Sequence, residues 1–198
     1  MKKQKLSPDE LKALRAFLYT WQHPAVVLAQ VDEIDSAIYF NQAGLAFLQD
    51  AWIGATFALA SGRNKIRLIN DEWPDFEVQA DDEHASRLRC EAVEAMEPGR
   101  RRGQEYKDQD AVLRHRDVEN WRAATEAIPE IVRNSVRKKI QKSYATECDL
   151  VIYLNVSTYG LMHEAHVAKL GEYVDLTGSR FRTAWVLWHD RAFLIWET

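Results

Sequence analysis

Leu150-Val151-Ile152-Tyr153-Leu154 constrains the fold most. Five apolar residues in unbroken succession read as a strand buried on both faces, which belongs inside a covered sheet. Ahead of it, Ile128-Pro129-Glu130 carries a helix start, with Pro at an early position and Glu in the first turn. Ile131, Val132, Ser135, Val136, Ile140 and Tyr144 then line one face, while Arg133, Arg137, Lys138, Lys139 and Lys142 gather elsewhere. Beyond the strand, the pattern predicts a short helix through Val167 to Tyr173. A hairpin follows, Phe181 to Trp188 and Ala192 to Trp196, turning at His189-Asp190-Arg191.

The first third reads as helical. Ser7-Pro8-Asp9-Glu10 supplies a cap, a proline for the first position and two acids for the positive end of the dipole, and Leu11, Leu14, Phe17 and Leu18 share a face. Val27, Val31, Ile34 and Ile38 repeat at helical spacing, and Leu45 to Leu59 is helix-compatible up to Ser61-Gly62. From Lys65 the period changes. Lys65 to Ile69, Phe76 to Gln79 and Arg87 to Met96 are short enough for strands of a small antiparallel sheet, separated by acidic loops. Pro98-Gly99-Arg100-Arg101-Arg102-Gly103 then breaks the pattern, and the polar stretch after it has no assignment.

The expected class is mixed α/β (α+β) in one domain over 1–198: a helical part over 1–62, a core over 65–155, and a helix and hairpin over 156–198. A chain of 198 residues with 46% hydrophobic content suffices for one substantial core. The net charge of −4 excludes a surface that is everywhere a polyanion-binding field, so any nucleic-acid surface is local. Cys90 and Cys148 lack the spacing of a zinc site or a disulfide framework and read as buried reduced thiols. Met1 to Lys5 is basic but runs into Ser7-Pro8-Asp9-Glu10 instead of an apolar signal core. Ala43 to Ala60 contains Asp50 and falls short of the about 20 apolar residues that a membrane span needs. The expectation is a cytoplasmic protein with no membrane partner.

Chemistry concentrates at Trp73-Pro74-Asp75-Phe76-Glu77-Val78 and Cys90-Glu91-Ala92-Val93-Glu94-Ala95. An Asp entering one strand and carboxylates on the next are able to hold a divalent cation against a phosphate oxygen. Residues two apart share a strand face, so only one of Glu91 and Glu94 faces a site with Asp75. The plain alternative makes Asp75 a turn cap after Pro74, and Glu91 and Glu94 solvent-facing positions of an edge strand. Arg100, Arg101 and Arg102 read either as a phosphate-clamping loop beside the site or as a solvated run. The helix cations, Lys138 and Lys142 among them, form a stripe able to track a nucleic-acid backbone, though exposed helix faces are commonly charged. His163-Glu164-Ala165-His166 lacks the four-residue spacing of the zinc-protease motif and reads as surface polarity. There is no G-x-S-x-G elbow and no Gly-rich phosphate loop. Trp185, Trp188 and Trp196 read as core or cross-strand residues, while Trp73 is placed to wall the site.

A helix, three strands carrying Asp75 and then Glu91, a second helix and a buried strand follow one another from about Lys65 to Asn155. In that order the chain resembles the PD-(D/E)xK nucleases, the restriction-endonuclease-like superfamily, with Pro74-Asp75 as the PD element and Glu91 as the acidic element. The resemblance implies an αβββαβ core flanked by an N-terminal helical segment and a C-terminal β-hairpin. It further implies Mg²⁺ or Mn²⁺ held by Asp75 and Glu91, and DNA rather than RNA as the substrate. Val93 stands where the family has its lysine. Two substitutes offer themselves: Glu94 in a variant motif, or a lysine of the following helix, Lys138, Lys139 or Lys142. Without either, the same fold serves as a noncatalytic module binding nucleic acid or a protein. The aromatic hairpin is a candidate homodimer interface.

Overall fold

The computed structural model describes residues 6–41, 44–71, 73–81, 87–100, 105, 118–156, 158 and 160–198. Helix α1 (Pro8–Leu18) opens as its sequence dictates. The Ser7 hydroxyl accepts the Glu10 amide, and the Glu10 carboxylate accepts the Ser7 amide in return. His23 starts α2 (Pro24–Asp32), its Nδ1 accepting the Ala25 amide. The series Val27, Val31, Ile34, Ile38 is not one helix: α2 stops at Asp32 and α3 (Ser36–Asn41) begins afresh. Helix α4 (Phe47–Ala60) is apolar on nearly every side and buries Leu48, Ala51, Ile53 and Phe57, as a helix enclosed by other elements must.

Strands β1 (Lys65–Leu68), β2 (Phe76–Gln79) and β3 (Leu88–Ala95) pair antiparallel, with Ile66 opposite Val78, Arg67 opposite Glu77, Glu77 opposite Arg89 and Phe76 opposite Cys90. Period-two alternation sorts them into two faces. Ile66, Leu68, Phe76, Val78, Leu88 and Cys90 are buried, and α4 packs on β1 and β2. Arg67, Glu77 and Arg89 form a row across the other face. Gly54 permits the close approach of α4, since a Cβ there would lie 2.7 Å from Ile66 Cδ1 and 2.9 Å from Phe76 Cγ. Outside β1, Gln22 and Ile66 exchange both backbone hydrogen bonds in an isolated antiparallel bridge. The Trp73–Pro74 peptide bond is cis.

Further along come α5 (Val118–Glu126), which the residue pattern does not predict, and α6 (Ile128–Ile140), which it does. Helix α6 buries Ile128, Ile131, Val132 and Val136 and packs on β4 (Cys148–Leu154). Every residue of β4 from Cys148 to Ile152 is buried, Asp149 included. It runs parallel to β5 (Phe181–Trp188), which pairs antiparallel with β6 (Arg191–Glu197) across a tight turn holding His189 at φ +55°. Helix α7 (Glu164–Lys169) and a 3₁₀ turn (Leu170–Tyr173) occupy the predicted short helix, one turn earlier than expected at its start.

The class is mixed α/β. The six strands join in chain order, β1-β2-β3-β4-β5-β6, as a mixed sheet. Among the described residues no helix is long and apolar enough to cross a membrane. Cys90 and Cys148 are buried thiols. The fold divides into two compact units. The first holds α1–α4, β1, β2 and β3 as far as Cys90; the second takes Glu91–Arg100 and Leu113–Thr198.

Candidate functional site

In the second unit, the central feature is a carboxylate that the fold removes from water. Glu91 on β3 is 3% exposed. Its Oε1 receives the Lys139 ammonium at 2.6 Å and the Tyr144 hydroxyl at 3.2 Å. Its Oε2 is buried and has no hydrogen-bond partner among the described residues. Leaving such an acceptor unmade costs on the order of 1–3 kcal/mol, so this oxygen marks a place where a further donor or cation would be stabilised.

The geometry of α6 explains why Lys139 makes the contact. It stands three residues after Val136 and seven after Val132, both buried, so it continues the core stripe at helical spacing. Its side chain is 14% exposed. Lys138, the neighbour singled out in the sequence together with Lys142, is turned aside by the helical step, and both are exposed. Tyr144 lies beyond the helix in the segment leading to β4. Its ring meets Phe181 edge-on with centroids 5.0 Å apart, which fixes the hydroxyl that Glu91 accepts. The stripe phase was the available sequence signal for Lys139; the role of Tyr144, beyond its apolar face, had none.

The remaining candidates are distributed around this pair or away from it. Glu94 accepts a 2.6 Å hydrogen bond from Asn155 Nδ2 at the end of β4, and the Asn155 amide bonds the Ala95 carbonyl at 2.9 Å. Arg100 donates to the Asn155 carbonyl at 2.6 Å and lies 3.9 Å from the Glu97 carboxylate, so it ties the end of β3 to the end of β4. Arg101 and Arg102 lie outside the described residues. Arg133 on α6 bonds Glu130 and stacks over Tyr173, while Arg137 is exposed. Val93, where the sequence resemblance expects a lysine, is half-buried on β3.

Asp75 belongs to the first unit, where its carbonyl accepts the Ile69 amide at 3.1 Å. It lines a cavity of about 190 Å³ with Tyr19, Asp50, Asn70 and Asp71. Trp73 is half-buried. A metal requires convergent donors, and among the described residues no three of His, Cys, Asp and Glu gather in a way that could hold one. What fits a cation is narrower, the single unsatisfied Oε2 of Glu91. Mg²⁺ commonly takes only one or two protein carboxylates and fills its remaining positions with water and substrate oxygens.

Other polar groups are structural. Asp149, 1% exposed at the start of β4, accepts Arg182 Nη2 at 2.6 Å and Thr183 Oγ1 at 2.9 Å from β5. Asp175 is exposed, and the Thr177 amide and hydroxyl hold its carboxyl below the ordinary value. His163 and His166 stack at 5.6 Å with the His163 amide donating to His166 Nδ1, so one imidazole nitrogen is already used as an acceptor. No family model, curated protein or solved structure matches the chain.

Proposed function

We propose that this protein is a metal-dependent, nuclease-like hydrolase of DNA phosphodiester bonds. One observation carries the reading: a lysine from the helix after β3 donates to the buried Glu91 carboxylate, on the strand where Val93 leaves the family's lysine position empty of charge. The element order α4, β1, β2, β3, α6, β4, with α5 inserted before α6, supports it.

In this reading Glu91 offers Oε2 to Mg²⁺ or Mn²⁺. The metal, when bound, polarises the scissile phosphate and lowers the pKa of a bound water. Lys139 has two tasks. Its charge offsets the buried Glu91, and its remaining N–H groups would orient the attacking water or stabilise charge developing on the phosphate. Tyr144 holds the Glu91 rotamer. Glu94, bonded to Asn155, is an assisting carboxylate on the same strand, and Lys138 and Lys142 offer exposed charge to the DNA backbone.

A second reading is a noncatalytic module binding nucleic acid or protein. It is favoured by the occupation of Glu91 Oε1 by Lys139 and Tyr144, which leaves one oxygen for a metal. Cleavage of supercoiled and linear DNA in Mg²⁺, Mn²⁺ or EDTA separates the two. The nuclease reading expects metal-dependent cutting that disappears in Glu91→Gln and falls roughly 100-fold in Lys139→Met, the scale of losing one preorganised charge-stabilising donor. DNA binding without cutting under any metal would leave the binding module standing.

A further inference from the structure

Glu91 and Lys139 cancel one another's charge in a place largely removed from water. The carboxylate is buried, and the ammonium lies 2.6 Å from its Oε1 on a side chain that keeps only a small part of its surface exposed. Oε2 has no hydrogen-bond partner among the described residues. A divalent cation arriving at Oε2 would meet a carboxylate whose charge is already offset, with a like charge held on the other oxygen. In surroundings of low dielectric that repulsion is strong. A buried excess of positive charge is costly, so one of the two cations has to give way.

The two donors on Oε1 differ in their freedom to leave. Tyr144 is buried and its ring meets Phe181 edge-on, so packing fixes where its hydroxyl points. Lys139 is the last residue but one of α6, and its ammonium ends a flexible four-carbon stem. The chain turns out of the helix at once, with the Lys142 amide donating to the Lys139 carbonyl at 3.0 Å. Lys138 and Lys142 beside it are exposed, so a change of rotamer carries the Lys139 ammonium from the carboxylate toward water. When it goes, Tyr144 still holds Oε1 in place.

We propose that Lys139 and a divalent cation are alternative partners of Glu91: Lys139 holds the carboxylate until a cation binds Oε2, and then leaves it for the substrate phosphate. This exchange rests on the reading of Glu91 as a metal ligand, and it gives Lys139 a regulatory part. The lysine competes with the metal and thereby sets its affinity, and its charge becomes available to a phosphate only once metal has bound.

The probe is Mn²⁺ without DNA, its binding read from the loss of the free-ion electron paramagnetic resonance signal. Lys139→Met should bind Mn²⁺ about tenfold more tightly than the wild type, because the competing charge is gone. The gain should vanish when Glu91→Gln is added. Lys138→Met removes an equal charge from an exposed neighbouring position and should change the affinity less than about twofold. If Lys139→Met does not fold, Lys139→Gln carries the readout, since it keeps a hydrogen-bond donor and loses only the charge. The wild type supplies a measurement that needs no substitution. By linkage, saturating Mn²⁺ must loosen Lys139 from Glu91, so acetic anhydride should acetylate Lys139 severalfold faster with Mn²⁺ than without it, measured against Lys138. Mn²⁺ that binds the wild type and Lys139→Met equally, but not Glu91→Gln, would overturn the exchange and leave the metal reading standing. Mn²⁺ that binds none of them would overturn both. A gain as large in Lys138→Met, or acetylation of Lys139 that Mn²⁺ leaves unchanged, would also overturn the exchange.

Discussion

A buried carboxylate survives in a fold only if something offsets its lost hydration. For Glu91 that is Lys139, with Tyr144 as a second donor. Because both charges of the pair are largely withdrawn from water, removing one partner strands the other. Lys139→Met is therefore expected to destabilise the protein by about 3 kcal/mol in urea denaturation. Adding Glu91→Gln should recover part of that loss, giving a coupling of about 1–3 kcal/mol in the double-mutant cycle. A cost below ~0.5 kcal/mol for Lys139→Met, the range of ordinary surface substitutions, would mean that the contact is not made in solution. The sequence puts forward a lysine of the following helix, beside Glu94, as a substitute for the lysine that Val93 replaces. Which lysine does so is harder to read. Lys138, Lys139 and Lys142 are alike in type, and only their phase against Val132 and Val136 separates them. Tyr144 is legible as an apolar position but not as a hydrogen-bond donor, because its hydroxyl finds Glu91 across 53 residues of chain.

Among the elements, α4 is held against the sheet by the absence of a side chain. A methyl group at position 54 meets Ile66 and Phe76 inside van der Waals distance, and Phe76 is fully buried with nowhere to retreat. Gly54→Ala should lower stability by about 1–3 kcal/mol despite the better helix propensity of Ala. Chemical denaturation measures the balance, and a net gain in stability would show that α4 shifts without cost. Strands and capped helices are legible here because their signals are local: the capping box at Ser7, the alternation in β1–β3 and the apolar run of β4. Two features are not. Ile34, inside the break between α2 and α3, is buried like Val27 and Val31 of α2, so hydrophobic spacing runs into the interruption unchanged. Helix α5 is predominantly polar, with Ala124 its one buried side chain among the described residues, and gives periodicity little to register.

At the scale of the whole molecule, stability is graded. In the second unit β4 is buried along nearly its whole length and lies between neighbours in the sheet, whereas β6 is paired on one side and exposes Leu194. Backbone amides of Leu150, Val151 and Ile152 should exchange with solvent far more slowly than those of β6, as hydrogen-exchange mass spectrometry or NMR will show; equal rates would mean that the two strands open together. The mixed α/β class follows from the sequence because one strand must be covered on both faces. Division into two compact units is not visible in composition, since its boundary falls between Cys90 and Glu91, in the middle of a single strand. The Gln22–Ile66 bridge bears on a different matter, the behaviour of this protein when crowded. An open sheet margin offers its amides and carbonyls to any passing chain, the first step toward aggregation. At Ile66 both groups are already engaged by the residues just ahead of α2, so that segment guards the margin against strand addition.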